Sequence, residues 1–176
     1  MDNIIFNRVW SMPNKNTFQI KPIKELIERY IHDGQIIIDP FANNNTYGTI
    51  TNDLDPQYNT DYHMDAIEFL KIQKDECADL VLYDPPFSVR QLSECYKKMG
   101  LSVNNETTRS DYWTKLKYEI SRVTKENGIV ICCGWNSGGI GKKLGFKIEE
   151  ILLVPHGGIH NDTIVTVDRK VKKDGT

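Results

Sequence analysis

The chain has 176 residues, 39% of them hydrophobic and 26% charged, the size and balance of one globular domain that buries about two-thirds of its unfolded surface. No run approaches the roughly 18 apolar residues of a membrane span, which excludes a transmembrane reading, and the formal charge of -2 leaves any nucleic-acid contact to local patches. In "MDNIIFNRVW" an acid stands where a signal peptide has its basic region, so the expectation is a mature cytoplasmic protein. Residues 22–31, "PIKELIERYI", open with a proline suited to a first helical turn and place Ile23, Leu26, Ile27 and Ile31 on one face, which predicts an amphipathic helix. "GQIIID" (34–39) reads as a buried parallel strand that stops at Asp39-Pro40. "GTITND" (48–53) is a second strand candidate, "DAIEFLKIQKDE" (65–76) a helix and "ADLVLYD" (78–84) a third strand. Two helical stretches follow at 89–100 and 111–128, each closed by a glycine and joined by the polar segment "LSVNNETTRS". "IVICCGW", "FKIEEILLVP" and "TIVTVDR" supply the remaining strands. Strands alternating with helices, then two nearby strands at the end, predict an α/β sheet that is mainly parallel with a C-terminal hairpin-like pair.

Four cysteines, Cys77, Cys95, Cys132 and Cys133, show no C-x-x-C spacing. Cys132 and Cys133 sit inside an apolar strand run where consecutive side chains face opposite ways, so reduced, packed thiols are expected rather than a disulfide or zinc.

In open α/β sheets ligands bind beyond the carboxyl ends of the strands. Here those ends read "DPFANNNTYG", "NDLDP" and "DPPFS". Acids at the first two suit a ligand with hydroxyls or a positive charge. The third ends differently: Pro86 has no backbone donor and Pro85 holds Asp84 extended, so the ladder stops with carbonyls unpaired. Asp84 adds a carboxylate acceptor, the Pro85 carbonyl another, and Phe87 an apolar plate. A planar group bearing an NH2 fits that arrangement, with its hydrogens on the two acceptors and its ring against Phe87.

"DPPF" after an apolar strand resembles the [DNS]-P-P-[YFW] motif of S-adenosylmethionine-dependent amino methyltransferases. "FQIKPIKELIERYI" is similar to the Lys-Pro segment and helix ahead of their cofactor strand, "IIIDPFANNNTYG" to their D-P-F-x-G-x-G loop, and "NDLDP" stands where their ribose-binding acid stands. "YDPPFSVRQ", "GWNSGGIGKKLGF" and "VPHGGIHNDTIVTVDRK" look like small adenine methylases carried by phages and mobile elements, and the likeness covers about residues 8–170. The resemblance implies a Rossmann-like class I methyltransferase: a mostly parallel seven-stranded sheet with an antiparallel C-terminal strand and helices on both faces. It implies a single domain over 1–176 without a separate target-recognition domain, S-adenosylmethionine as cofactor, and methylation of adenine N6 in DNA, either single-stranded or with the base flipped out. RNA or cytosine N4 as acceptor, or a non-catalytic relative that binds cofactor or nucleic acid, are the alternatives. A partner subunit or homodimer would supply the missing target recognition.

Residue by residue, the resemblance implies catalysis by Asp84, Pro85, Pro86 and Phe87. For the cofactor it implies Lys21 beside Pro22, the loop Asp39, Pro40, Phe41, Ala42 and Asn43, then Asp53 and Asp65. Ser88, Arg90, Asn136 and His160 are the implied substrate contacts. Asn43 and Asn45 replace the usual loop glycines, and asparagine tolerates left-handed backbone better than most residues. Asp55 competes with Asp53 for the ribose, and Asp65 also reads as a plain helix N-cap. "NSGGIGKK" lacks the glycine and hydroxyl of a phosphate loop and reads as a surface loop, with Lys142 near a substrate backbone. His156 and His160, four apart outside any helix, read as a loop rather than a metal site. The segment 101–110 reads as a lid or as a plain connection.

Overall fold

The computed structural model describes residues 3–101 and 111–171; the greater part of "LSVNNETTRS" and the end of the basic tail lie outside them. The chain opens with an edge strand β1 (Ile5–Arg8), then α1 (Lys21–Tyr30), β2 (Ile37–Asp39), β3 (Ile50–Thr51) and α2 (Ala66–Lys71). Next come β4 (Ala78–Tyr83), α3 (Val89–Lys98), α4 (Tyr112–Val123), β5 (Thr124–Gly134), β6 (Phe146–Val154) and β7 (Thr163–Lys170). The strands form one seven-stranded sheet in the order β1-β6-β7-β5-β4-β2-β3. All pairings are parallel except those of β7, which runs antiparallel to both β5 and β6. The expected architecture is therefore present.

Period-two alternation sorts the strand residues onto two cores. Ile38, Val81, Tyr83, Val130 and Cys132 pack with α2, α3 and α4, whereas Ile37, Leu80, Leu82, Ile131 and Cys133 pack with α1 and Phe18. Cys132 and Cys133 thus face opposite ways, as their adjacency predicts, and all four cysteines are free. In α1 the predicted stripe is buried at Ile23, Leu26 and Ile27, while Ile31 leaves the helix as its extended C-cap.

Several boundaries differ from the sequence reading. β1 was not anticipated, because four exposed residues carry no burial alternation; it pairs Ile5 with Glu150 and Arg8 with Leu153. β3 keeps only two residues, since side chains take over its bonding: both the Thr51 amide and hydroxyl donate to Asp61 at 2.8 Å, and Asn52 Nδ2 donates to the Pro40 and Met64 carbonyls. The helix read over 111–128 ends at Val123 and passes directly into β5, whose register jumps across 125–128. Asn127 there has a φ of 61°, and a Cβ on Gly128 would lie 2.9 Å from the Lys125 carbonyl, so the bulge requires both residues.

A buried acid joins α1 and the edge strand to the sheet. Glu150, 3% exposed, accepts from Arg29 at 2.5 Å, Tyr30 at 3.0 Å and Asn7 at 3.4 Å. Burial, reinforced by the bond to Glu150, pushes the Tyr30 hydroxyl up to about 12.

Candidate active site

From β2 the chain goes outward to β3 and returns to β4 on the other side of β2, which makes the β2–β4 boundary the switch point of the sheet. Asp39 ends β2, and Asp84 follows the last residue of β4. A cavity of about 470 Å³ opens there, within the usual range for a small-molecule site.

The loop after β2 forms one wall. Pro40, Phe41 and Asn43 line the cavity; Asp39 and Ala42 do not, and each is 0% exposed. They hold the loop from behind. Asp39 Oδ1 accepts from the Phe41 amide at 3.1 Å, and the Ala42 amide donates to the Asn52 carbonyl at 2.9 Å. Burial pushes the Asp39 carboxyl well above its ordinary value, and its Oδ2 has no hydrogen-bond partner among the described residues. Asn43 takes a φ of 51°, the left-handed conformation that glycine otherwise supplies. Its amide donates to Asp53 Oδ2 at 2.9 Å. Asn43→Gly is expected to leave stability nearly unchanged, whereas Asn43→Val should cost about 1–2 kcal/mol for a β-branched residue in that region, read from urea midpoints.

Asp53 and Asp55 both line the cavity but are engaged differently. Lys98 pairs with Asp55 at 2.7 Å, and that hydrogen bond holds the Asp55 carboxyl below its ordinary value. Among the described residues Asp53 accepts backbone amides, from Asn43 and Asp55 at 2.9 Å each, and burial raises it. Its charge is the one left for a ligand. Asp65 lines the cavity and N-caps α2, with Oδ1 accepting from Ile67 at 2.8 Å and Glu68 at 3.2 Å. The hydroxyls of Tyr96 and Tyr112 donate to its Oδ2. The N-cap reading of Asp65 is the one its bonds show.

The Asp84-Pro85-Pro86-Phe87 turn divides two spaces. Asp84 and Pro86 face the first cavity, and Pro85 and Phe87 line both it and a second cavity of about 410 Å³. Burial pushes the half-buried Asp84 carboxyl up to about 6, opposed by a hydrogen bond with the Thr17 side chain. The Pro86 carbonyl accepts from Trp113 Nε1 at 2.9 Å, and the Phe87 amide donates to Gln91 Oε1 at 2.7 Å. Phe87 stands edge-on to Trp135, with ring centroids 5.6 Å apart.

Some expected residues lie elsewhere or are otherwise engaged. Lys21 is 84% exposed, 4.0 Å from Glu25, and reaches neither cavity, because the first turn of α1 points it outward. Arg90, 87% exposed, pairs with Glu94 one helical turn on. Ser88 borders the second cavity, yet its hydroxyl caps α3 by accepting from Gln91 at 3.2 Å. Asn136 borders the same cavity and accepts from the Gly138 amide at 2.9 Å. His160 is exposed and away from both cavities, while His156 is buried, bridging the Ser11 carbonyl and Thr163 hydroxyl at 2.8 Å each. Lys142 also lines neither cavity. Sequence reasoning missed Asn16 and Thr17 in the first cavity and Trp113, Lys117 and Trp135 in the second. The polar pair sits at the start of a single 3₁₀ turn over Thr17–Gln19, too short for any periodic pattern, and Trp113 and Lys117 follow the helical period of α4 without any motif; only the run "CCGW", an aromatic at a strand's carboxyl end, pointed to the place.

No family model matches the chain, and no curated protein matches it in sequence. Among solved structures it is similar to the Burkholderia thailandensis 1,6-didemethyltoxoflavin-N1-methyltransferase, solved with its substrate and S-adenosylhomocysteine. That match has a TM-score of 0.59 at 11% identity and covers 86% of this chain and 78% of that one. It is also similar to TrmN from Thermus thermophilus, with a TM-score of 0.54 at 15% identity over 86% of this chain and 49% of that one. The fold is that of a class I methyltransferase. NSun6 from Pyrococcus horikoshii matches it with a TM-score of 0.53 at 17% identity, over 80% of this chain and 49% of that one. This class I domain therefore spans about half the length of TrmN and NSun6. No helix among its described residues is long and apolar enough to cross a membrane.

Proposed function

We propose that the chain is an S-adenosylmethionine-dependent methyltransferase that acts on the N6 amino group of adenine in DNA. The observation that carries this reading is the Asp84-Pro85-Pro86-Phe87 turn standing as the common wall of two cavities. One cavity would take the methyl donor and the other the acceptor base.

The residues of the first cavity fit the donor. Asp53 offers carboxylate lone pairs to ribose hydroxyls, and Phe41 with Leu92 offers apolar surface. The side-chain oxygen of Asn45, which lines the cavity, is a buried acceptor without a partner among the described residues. When bound, S-adenosylmethionine supplies a methyl group on a positively charged sulfur.

The second cavity has aromatic walls from Phe87, Trp113 and Trp135, suited to a flat base taken out of its stack. Because Trp113 occupies the Pro86 carbonyl, the turn is left with the Asp84 carboxylate and the Pro85 carbonyl for the two amine hydrogens. An adenine amine is a weak nucleophile, its lone pair shared with the ring. Two acceptors favour the pyramidal nitrogen that develops as it attacks, which is binding of the changed geometry rather than of the ground state. Asp84 need not take the proton before transfer, since the methylated amine loses it afterwards.

The proposal includes relaxed or very short target specificity, or a partner subunit or second copy that reads sequence. The test is methyl transfer from labelled S-adenosylmethionine to unmethylated DNA, with RNA and adenine-free DNA alongside and mass analysis of the nucleosides. N6-methyladenine from DNA is the expected product. Methylated RNA or N4-methylcytosine would move the acceptor, and no product from any of them with cofactor bound would overturn the reading.

A further inference from the structure

Helix α4 carries Trp113, Lys117 and Ser121 at successive four-residue steps, so the three share one face. Each donates to a backbone carbonyl of a different segment: Trp113 to Pro86 at 2.9 Å, Lys117 to Gly139 at 2.5 Å and Ser121 to Leu144 at 3.0 Å. The first two bonds hold two walls of the second cavity. Pro86 belongs to the turn that bears Phe87, and Gly139 to the loop that bears Trp135 and Asn136.

The hold on the second wall is double. The Gly139 carbonyl and the Ile140 amide are the two ends of one peptide group, and the amide end donates to Asp168 Oδ1 at 3.1 Å. A cation from α4 and a carboxylate from β7 therefore grip a single peptide plane. Asp168 is 0% exposed and is itself oriented by the Thr166 hydroxyl at 2.6 Å. Burying a carboxylate for a surface loop is costly unless its bonds fix something, and what they fix here is the peptide three residues beyond Asn136.

We infer that Trp113 and Lys117 are positioning residues that fix Phe87 and Trp135, the adjoining aromatic walls of the second cavity against which the acceptor base would lie. The inference rests on reading the second cavity as the acceptor site. Neither residue needs to touch the reacting nitrogen: Trp113 acts through the Pro86 carbonyl and Lys117 through the Gly139 carbonyl. A wall displaced by about 1 Å misaligns the amine against its acceptors and lowers turnover about a hundredfold, while Phe41, Asn43 and Asp53 on the far side of the first cavity keep their own bonds to Asp39 and to one another.

The test compares Trp113→Phe, which keeps a ring but loses the N–H, and Lys117→Met, which keeps the stem but loses the ammonium. Ser121→Ala is the control on the same helix face, since Leu144 lines neither cavity. Both variants are expected to lose tenfold or more in kcat with the KM for S-adenosylmethionine within twofold, and the control to stay within twofold of the parent. Amide hydrogen exchange should quicken in 84–91 for Trp113→Phe and in 134–141 for Lys117→Met. Turnover within twofold of the parent, or a loss matched by an equal rise in cofactor KM, would overturn the inference. If the parent chain itself transfers no methyl group to any acceptor, the functional reading fails separately; exchange alone then judges the clamps, and unchanged exchange in both segments overturns them.

Discussion

Asp84→Ala is expected to lower kcat by about 10²–10³, the usual cost of deleting one group aimed at developing charge or geometry, with cofactor affinity nearly unchanged. Asp84→Asn separates the roles of shape and charge, since the amide keeps an acceptor oxygen and loses the titration. In the parent, burial pushes the Asp84 carboxyl up to about 6. Below that pH the carboxyl is protonated and one of its oxygens becomes a donor, so kcat/KM should rise with pH through about 6 and then level. The Asn variant should be slower and lack that limb. A limb retained in Asp84→Asn would assign the titration to another group.

The same residue makes a stability prediction of opposite sense. A carboxyl whose folded value lies above its unfolded one favours folding below the unfolded value and loses that contribution as pH rises through the folded one. At pH 8 the ionised, half-buried Asp84 is therefore a cost. Asp84→Asn should raise Tm at pH 8, and the difference should close towards pH 4. Thermal melts at the two values check it, and a variant that is more stable yet nearly inactive is what a functional site predicts.

Gly139→Ala is expected to be the most damaging small substitution in the second cavity. Gly139 has a φ of +55°, and an added Cβ would lie 2.1 Å from Asp168 Oδ1 and 2.6 Å from Oδ2. Asp168 has no room to yield, because Ile140 and Thr166 both donate to it. Left-handed strain of roughly 1 kcal/mol adds to the clash, so a loss of about 3 kcal/mol and a Tm lower by roughly 6–12 °C are expected. Gly134→Ala is the comparison: an added Cβ there meets nothing nearer than 4.0 Å, and its φ is not left-handed. It should change stability by under about 1 kcal/mol. Equal effects of the two substitutions would remove the special standing of the 139–140 peptide.

Near neighbours along the chain carry a large part of this fold. Period 3.6 placed Ile23, Leu26 and Ile27 on the buried face of α1, and period 2 sent Cys132 and Cys133 to opposite cores. Pro85 and Pro86 stopped β4, and the parallel sheet brought the strand-end residues Phe41, Asp53 and Asp84 to one crevice. Even the asparagine that replaces a loop glycine was legible, because Asn43 needs only its own backbone to adopt a φ of 51°.

Which of those side chains remain open to a ligand depends on packing between distant elements. Lys21 and Arg90 turn to solvent, Ser88 is spent on a helix cap, and Lys98 pairs with Asp55 while Asp53 accepts backbone amides. The second cavity was invisible for the same reason. Its walls depend on Trp113 meeting Pro86 and on Lys117 and Asp168 meeting one peptide from opposite sides, partners 22 to 28 residues apart in the chain. Periodicity reports which way a side chain points from its own element; which group it then meets is set by the packing of that element against others, and no local pattern encodes that.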